Sequence, residues 1–151
     1  MRRLKWAAFL AVLGLTPIVS HAQDKQTVQA ERRIAVVLTE FNEEMRGYER
    51  ELKYFQRVAE FKPLSELHAQ LVGQAAQMAK LDTAGRGSGP AILELAREMD
   101  RTARKLDVAT GSLEQRAEAV SSREDRTVAE RMRTHANAMV RTTDKLIALF
   151  R

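Results

Sequence analysis

The sequence predicts an all-α protein: an antiparallel four-helix bundle, or an extended helical hairpin with heptad-like packing. Three observations carry that expectation. Apolar residues recur in alternating steps of three and four over long stretches, which is one face of a helix and not the two-residue alternation of a strand. Gly and Pro are few, at seven and three in 151 residues, and three of the Gly with one Pro cluster at 82–90, where a connection belongs. With 44% hydrophobic, 30% charged and no Cys, the composition suits one helical domain and excludes a disulfide-stapled or collagen-like chain.

The first segment reads as a secretory signal rather than as part of the fold. Arg2, Arg3 and Lys5 form a basic start, Trp6 to Leu15 is apolar, Pro17 breaks the run, and Ser20-His21-Ala22 offers the small residues a signal peptidase recognises. Trp6 to Val19 gives only 14 residues, whereas a membrane-spanning helix needs about 20. The expected organisation is a cleavable signal over 1–22 and a single helical domain over 23–151, periplasmic or secreted, with no transmembrane segment after cleavage. Export without Cys also excludes a lipoprotein anchor and covalently attached haem.

The signal carries three of the 25 basic residues and none of the 20 acidic ones, so the net charge falls from +5 to +2 once it is removed. A chain so nearly balanced lacks the basic stripe of a nucleic-acid binder. No nucleic acid is therefore expected among its partners.

The first helix, over about 27–60, follows from apolar residues at 34, 38, 41, 45, 48, 52, 55 and 59. Tyr54, Val58 and Phe61 widen its apolar face, which implies more than one neighbouring helix. A second helix, over about 64–81, carries Leu64, Leu67, Leu71, Ala75, Met78 and Leu81. Its stripe is out of phase with the first, and Pro63 sits at the slip, acceptable in a first turn and harmful inside a helix. A turn is expected there, with a kinked continuous helix as the alternative.

The segment 82–90, DTAGRGSGP, reads as a Gly-rich loop. It lacks the Lys-Ser/Thr ending and the preceding strand of a phosphate-binding loop. The third helix, over about 90–120, holds Ile92, Ala96, Met99, Ala103, Leu106, Thr110, Leu113, Ala117 and Val120 in register through Gly111. Ser112 with Gln115 offers an alternative helix start there. The fourth helix, over about 123–150, carries Val128, Met132, His135, Met139, Thr142, Leu146 and Leu149, with Ser122 and Asp125 near its expected cap.

Little in these helices resembles a reaction centre. After signal removal the histidines are His68 and His135; no His-Glu-x-x-His or Glu-x-x-His motif occurs, and the serines lie at helix starts or in loops. His68, beside Leu67 and Leu71, is expected half exposed and without a partner.

The arrangement with ligand chemistry is His135 with Met132 and Met139 along one helical face, since imidazole and thioether suit copper(I) and can also hold haem iron between helices. Against this, Met45, Met78, Met99, Met132 and Met139 all fall on stripe positions, where flexible side chains fill a core. His135 would then bond Thr142 or a backbone group.

Function is accordingly expected to run through protein contacts, as adaptor, scaffold or chaperone-like binder. The protein would be non-enzymatic and cofactor-free, with a partner protein or self-association implied. A copper or haem bundle built on His135 with Met132 or Met139 is the alternative. Tyr54 and Phe61 are the aromatic candidates for partner contact, and Arg123, Arg126, Arg131, Arg133, Arg141 and Arg151 could meet an anionic surface.

Overall fold

The computed structural model describes residues 19–55, 61–83, 88–120 and 122–150, with 19–32 and 117–120 described as backbone alone. Four helices follow one another: α1 Val19–Leu52, α2 Lys62–Thr83, α3 Gly89–Val120 and α4 Arg123–Ala148. There is no strand among the described residues.

Helix α1 begins before the expected 27, so the backbone at Ser20-His21-Ala22 is already helical. The basic start and apolar run of the proposed signal lie outside the described residues. Helix α1 also stops short of 60. Its α-helical hydrogen bonding ends at Leu52, the chain tightens into a 3₁₀ turn over Lys53–Phe55, and Phe55 is thereby buried. The end of the expected first helix, 56–60, falls outside the described residues.

Pro63 occupies the first turn of α2, where its missing N–H costs nothing, so the phase slip marks the start of a new helix. Helix α3 passes through Gly111 unbroken. Ser112 does not cap a new helix there; its hydroxyl donates back to the Val108 carbonyl at 3.2 Å. The capping box lies instead at the start of α4, where Asp125 N–H donates to Ser122 Oγ and Ser122 N–H donates to Asp125 Oδ2, both at 3.3 Å.

The helices run up, down, up and down, and each packs on its chain neighbours while α4 closes the ring against α1. The pairings fix the directions. Met45 of α1 meets His68 of α2 while Phe55 meets Phe61, and Glu40 meets Lys145 of α4 while Glu51 meets Arg131. Both pairs of helices are therefore antiparallel.

The core follows the heptad stripes. Ile34, Leu38, Phe41, Met45, Tyr48 and Leu52 are buried from α1, Phe55 from the 3₁₀ turn after it, and Leu64, Leu71, Ala75 and Met78 from α2. Helix α3 adds Ile92, Ala96, Met99, Ala103, Leu106 and Leu113, and α4 adds Val128, Met132, Met139 and Leu146. The buried faces of two helices depart from the expected ones. On α2 the buried line is 64, 68, 71, 75 and 78, so His68 lies in the core and Leu67 at its margin. On α4, Ala129, Ala136 and Thr143 are fully buried whereas His135 sits at the edge and Leu149 is exposed.

Candidate functional site

The polar side chains that sequence spacing could not pair are brought together along the seam between α1 and α4. Lys145 Nζ donates to Glu40 Oε2 at 2.6 Å, His135 Nδ1 to Glu44 Oε2 at 2.7 Å, Arg131 to Glu51 Oε2 at 2.8 Å, and the Tyr54 hydroxyl to Asp125 Oδ1 at 2.9 Å. These four contacts form a ladder down one face of the bundle. Around its upper rungs lies a groove of about 260 Å³ lined by Glu40, Glu43, Glu44, Ala138, Arg141, Thr142 and Lys145.

His135 is the most constrained member of this seam. Its side chain is 25% exposed and that of Glu44 34%, so the pair is neither free in solvent nor buried. Its ring lies over Gly47: a Cβ at Gly47 would stand 2.3 Å from His135 Cε1 and 2.7 Å from both ring nitrogens. A glycine inside a helix costs about 1 kcal/mol relative to alanine. Here the space of the missing side chain is what lets the imidazole approach α1 closely enough to reach Glu44.

The structure separates the three residues proposed as metal or haem ligands. Met132 and Met139 are fully buried among the core side chains, while His135 leaves the core to bond Glu44 rather than Thr142 or a backbone group. Thr142 instead donates to the Ala138 carbonyl at 2.8 Å. Among the described residues no group of three or more His, Cys, Asp or Glu side chains is placed to hold a metal ion.

His68 is buried and partnered, contrary to the half-exposed, unpartnered position expected for it. Its Nε2 donates to the Met45 carbonyl at 3.1 Å, and its ring stacks on Tyr48 with centroids 5.8 Å apart and planes 14° off parallel. Tyr48 in turn reaches Thr110 Oγ1 at 2.8 Å; that hydroxyl donates to the Leu106 carbonyl at 2.7 Å, so the phenol is the donor to it. Burial pushes the Tyr48 phenol well above its ordinary pKa, and Asp107 adds to the effect. The result is a hydrogen-bonded and stacked path across the core from α2 through α1 to α3.

The basic residues of α4 divide between two roles. Arg131 and Arg133 turn to carboxylates of neighbouring helices, Glu51 and Glu114. Arg123, Arg126 and Arg141 are exposed, and Arg151 lies outside the described residues. The surface available to an anionic partner is thus narrower than the composition of the helix suggests.

An apolar recess opens at the end of the bundle where α2 begins. About 280 Å³ is lined by Phe61, Pro63 and Leu64 from one side and Ala109, Ser112, Leu113 and Arg116 of α3 from the other. Phe61, half-buried, packs on Phe55 with ring centroids 4.8 Å apart, and Tyr54 meets the edge of Phe55 at 5.0 Å. Phe61 therefore lines an accessible apolar surface. Tyr54 is exposed but tied by its hydroxyl to Asp125, whose carboxylate raises its pKa.

No family model, curated protein or solved structure matches the chain.

Sequence reasoning missed Gly47 as a site residue and Glu44 as the partner of His135. The signal for the first was present: an isolated glycine in the middle of an otherwise strong helical pattern calls for a packing reason. For Glu44 there was none, because the two residues lie 91 positions apart.

Proposed function

We propose that the protein is an exported, non-catalytic helical bundle that works through protein contacts, as an adaptor, scaffold or chaperone-like binder. The observation that carries this reading is the recess between Phe61 and Leu113: accessible, apolar-walled, and edged by the polar groups of Ser112 and Arg116. Accessible apolar surface with a polar rim is where partner side chains are taken up. The polar clusters elsewhere pair with one another across helix seams, which favours a structural role for them.

Photo-crosslinking in cells from a reactive side chain placed at Ala109, on the wall of the recess, tests the reading. A discrete adduct is expected from 109 and none from Arg97, an exposed position on the same helix. The reading fails if both positions give the same smear of products and the purified protein binds no apolar dye. Export is tested separately. Trp6 is the sole Trp, so the processed form has near-ultraviolet absorption from Tyr48 and Tyr54 alone, and a periplasmic product that retains Trp absorption would contradict cleavage after Ala22.

A further inference from the structure

The outer face of α2 is unlike the rest of the surface. From Leu67 to Ala79 there is no Asp, Glu, Lys or Arg in 13 consecutive residues, although 30% of the chain is charged. The core side of α2 is accounted for by Leu64, His68, Leu71, Ala75 and Met78. Opposite them, in steps of four and three, lie Lys62, Glu66, Ala69, Gly73, Ala76 and Lys80, all exposed. Beside this line Val72 is 46% exposed, and a Cβ added to Gly73 would meet nothing within 4 Å. Gly73 is thus a helix-interior glycine whose missing side chain makes room for nothing among the described residues.

The charges at the two ends of this line are placed symmetrically and with opposite sign. Glu66 lies seven residues before Gly73 and Lys80 seven residues after, each about 10 Å from it along the helix axis. A second α2 laid antiparallel across the first, with the two glycines at the crossing, sets each Glu66 opposite a Lys80. Laid parallel, the same faces would put Glu66 on Glu66 and Lys80 on Lys80. Within one molecule, among the described residues, Glu66 has only a 3.9 Å contact with Lys62, with both side chains mostly in solvent.

We propose that the outer face of α2 is a self-association surface, on which two copies of the chain pack α2 antiparallel about a two-fold axis at Gly73, with Glu66 of each copy facing Lys80 of the other. Ala69, Gly73 and Ala76 let the two helix axes come within the roughly 8 Å of a tight crossing. The contact is isologous, so each favourable charge pair occurs twice. A helix face of this length covers on the order of 350 Å² per copy, below the roughly 800 Å² of a standard stable interface, so the dimer is weak and concentration-dependent. This surface is distinct from the recess, and neither depends on the other.

Sedimentation equilibrium of the protein isolated from cells expressing the whole chain, up to about 1 mM, decides the matter, since interfaces of this size bind weakly. The wild type is expected to dimerise reversibly, less so at high salt. Glu66→Lys and Lys80→Glu should each weaken the dimer about tenfold, whereas the double variant Glu66→Lys/Lys80→Glu should restore it. Gly73→Leu should abolish it while leaving the thermal melt unchanged or higher, and Gly73→Ala, a milder change, should weaken it while raising the melt. A wild type that stays monomeric throughout overturns the proposal. So does a dimer indifferent to these substitutions, a charge swap that fails to restore association, or loss of the dimer in the recess variant Ala109→Lys. Ala109→Lys that leaves the dimer intact supports it, whatever that variant does to partner capture.

Discussion

Replacing Gly47 by alanine ought to stabilise an ordinary helix, yet here it is expected to do the reverse. The added methyl would sit 2.3 Å from His135 Cε1, and ordinary contact begins at 3.4 Å, so the ring must move by more than 1 Å. That movement breaks the 2.7 Å bond to Glu44. Losing a hydrogen bond to a charged group costs about 1.5 to 3 kcal/mol, and the partial exposure of both side chains points to the lower end. Against this stands the helix-propensity gain of about 1 kcal/mol, leaving a net loss of roughly 0.5 to 1 kcal/mol.

The sharper quantity is the coupling. In a His135→Ala background the methyl at 47 meets no ring, so the same Gly47→Ala change should stabilise by about 1 kcal/mol, for a coupling energy near 1.5 to 2 kcal/mol. Urea unfolding of the four proteins measures it. Additive effects, with Gly47→Ala equally stabilising in both backgrounds, would refute the idea that this glycine exists to admit the imidazole.

Other expectations follow from the core and the seams. The folded state holds the Tyr48 phenolic proton above the pKa of 10.0 at which the unfolded chain releases it, so the contribution is fully present below that value and is lost as pH rises. Stability should fall by up to about 1.4 kcal/mol per pH unit above it, and Tyr48→Phe should remove that slope in denaturation curves taken across the alkaline range. Ser122→Ala, which deletes the acceptor of the capping box, should cost about 1 kcal/mol, whereas Arg131→Ala, whose guanidinium is half in solvent, should cost far less by the same assay. Leu106→Ala, at a fully buried position, should cost about 2 to 5 kcal/mol, read from the shift in urea midpoint. Titration with copper(I) or haem should leave the melting temperature in place, because the Met132 and Met139 thioethers are buried and His135 Nδ1 is held by Glu44; a true ligand at a hundred times its Kd would add about 2.7 kcal/mol.

The helices were legible because burying one face of a helix forces a period that any window of the chain reveals. Phase breaks were legible too: Pro63 and the glycines of 82–90 stand where the stripes lose register, and the second helix begins and ends within two residues of its expected limits. Which of two adjacent positions lies deepest was harder to read. Leu67 looked more apolar than His68, but a stripe through 68 keeps strict steps of four and three, and the imidazole finds a carbonyl to bond. The same competition placed Ala136 in the core and His135 at the seam. There a small residue lets α4 come close, while the larger polar ring reaches a carboxylate. The seam pairs themselves were invisible, since Glu40 with Lys145 spans 105 positions and depends on the register of two helices that only the assembled bundle sets.

That ladder joins the earliest helix of the bundle to the latest. Until residues near Lys145 have been synthesised, or have crossed a membrane if the chain is exported, α1 has no antiparallel mate on that flank and Glu40, Glu44 and Glu51 lack their α4 partners. A nascent chain halted around Val120 would carry three helices with an uncovered greasy trough between the first and the third. Such an intermediate is open to holding chaperones and proteases, so maturation of the protein hinges on α4 arriving promptly.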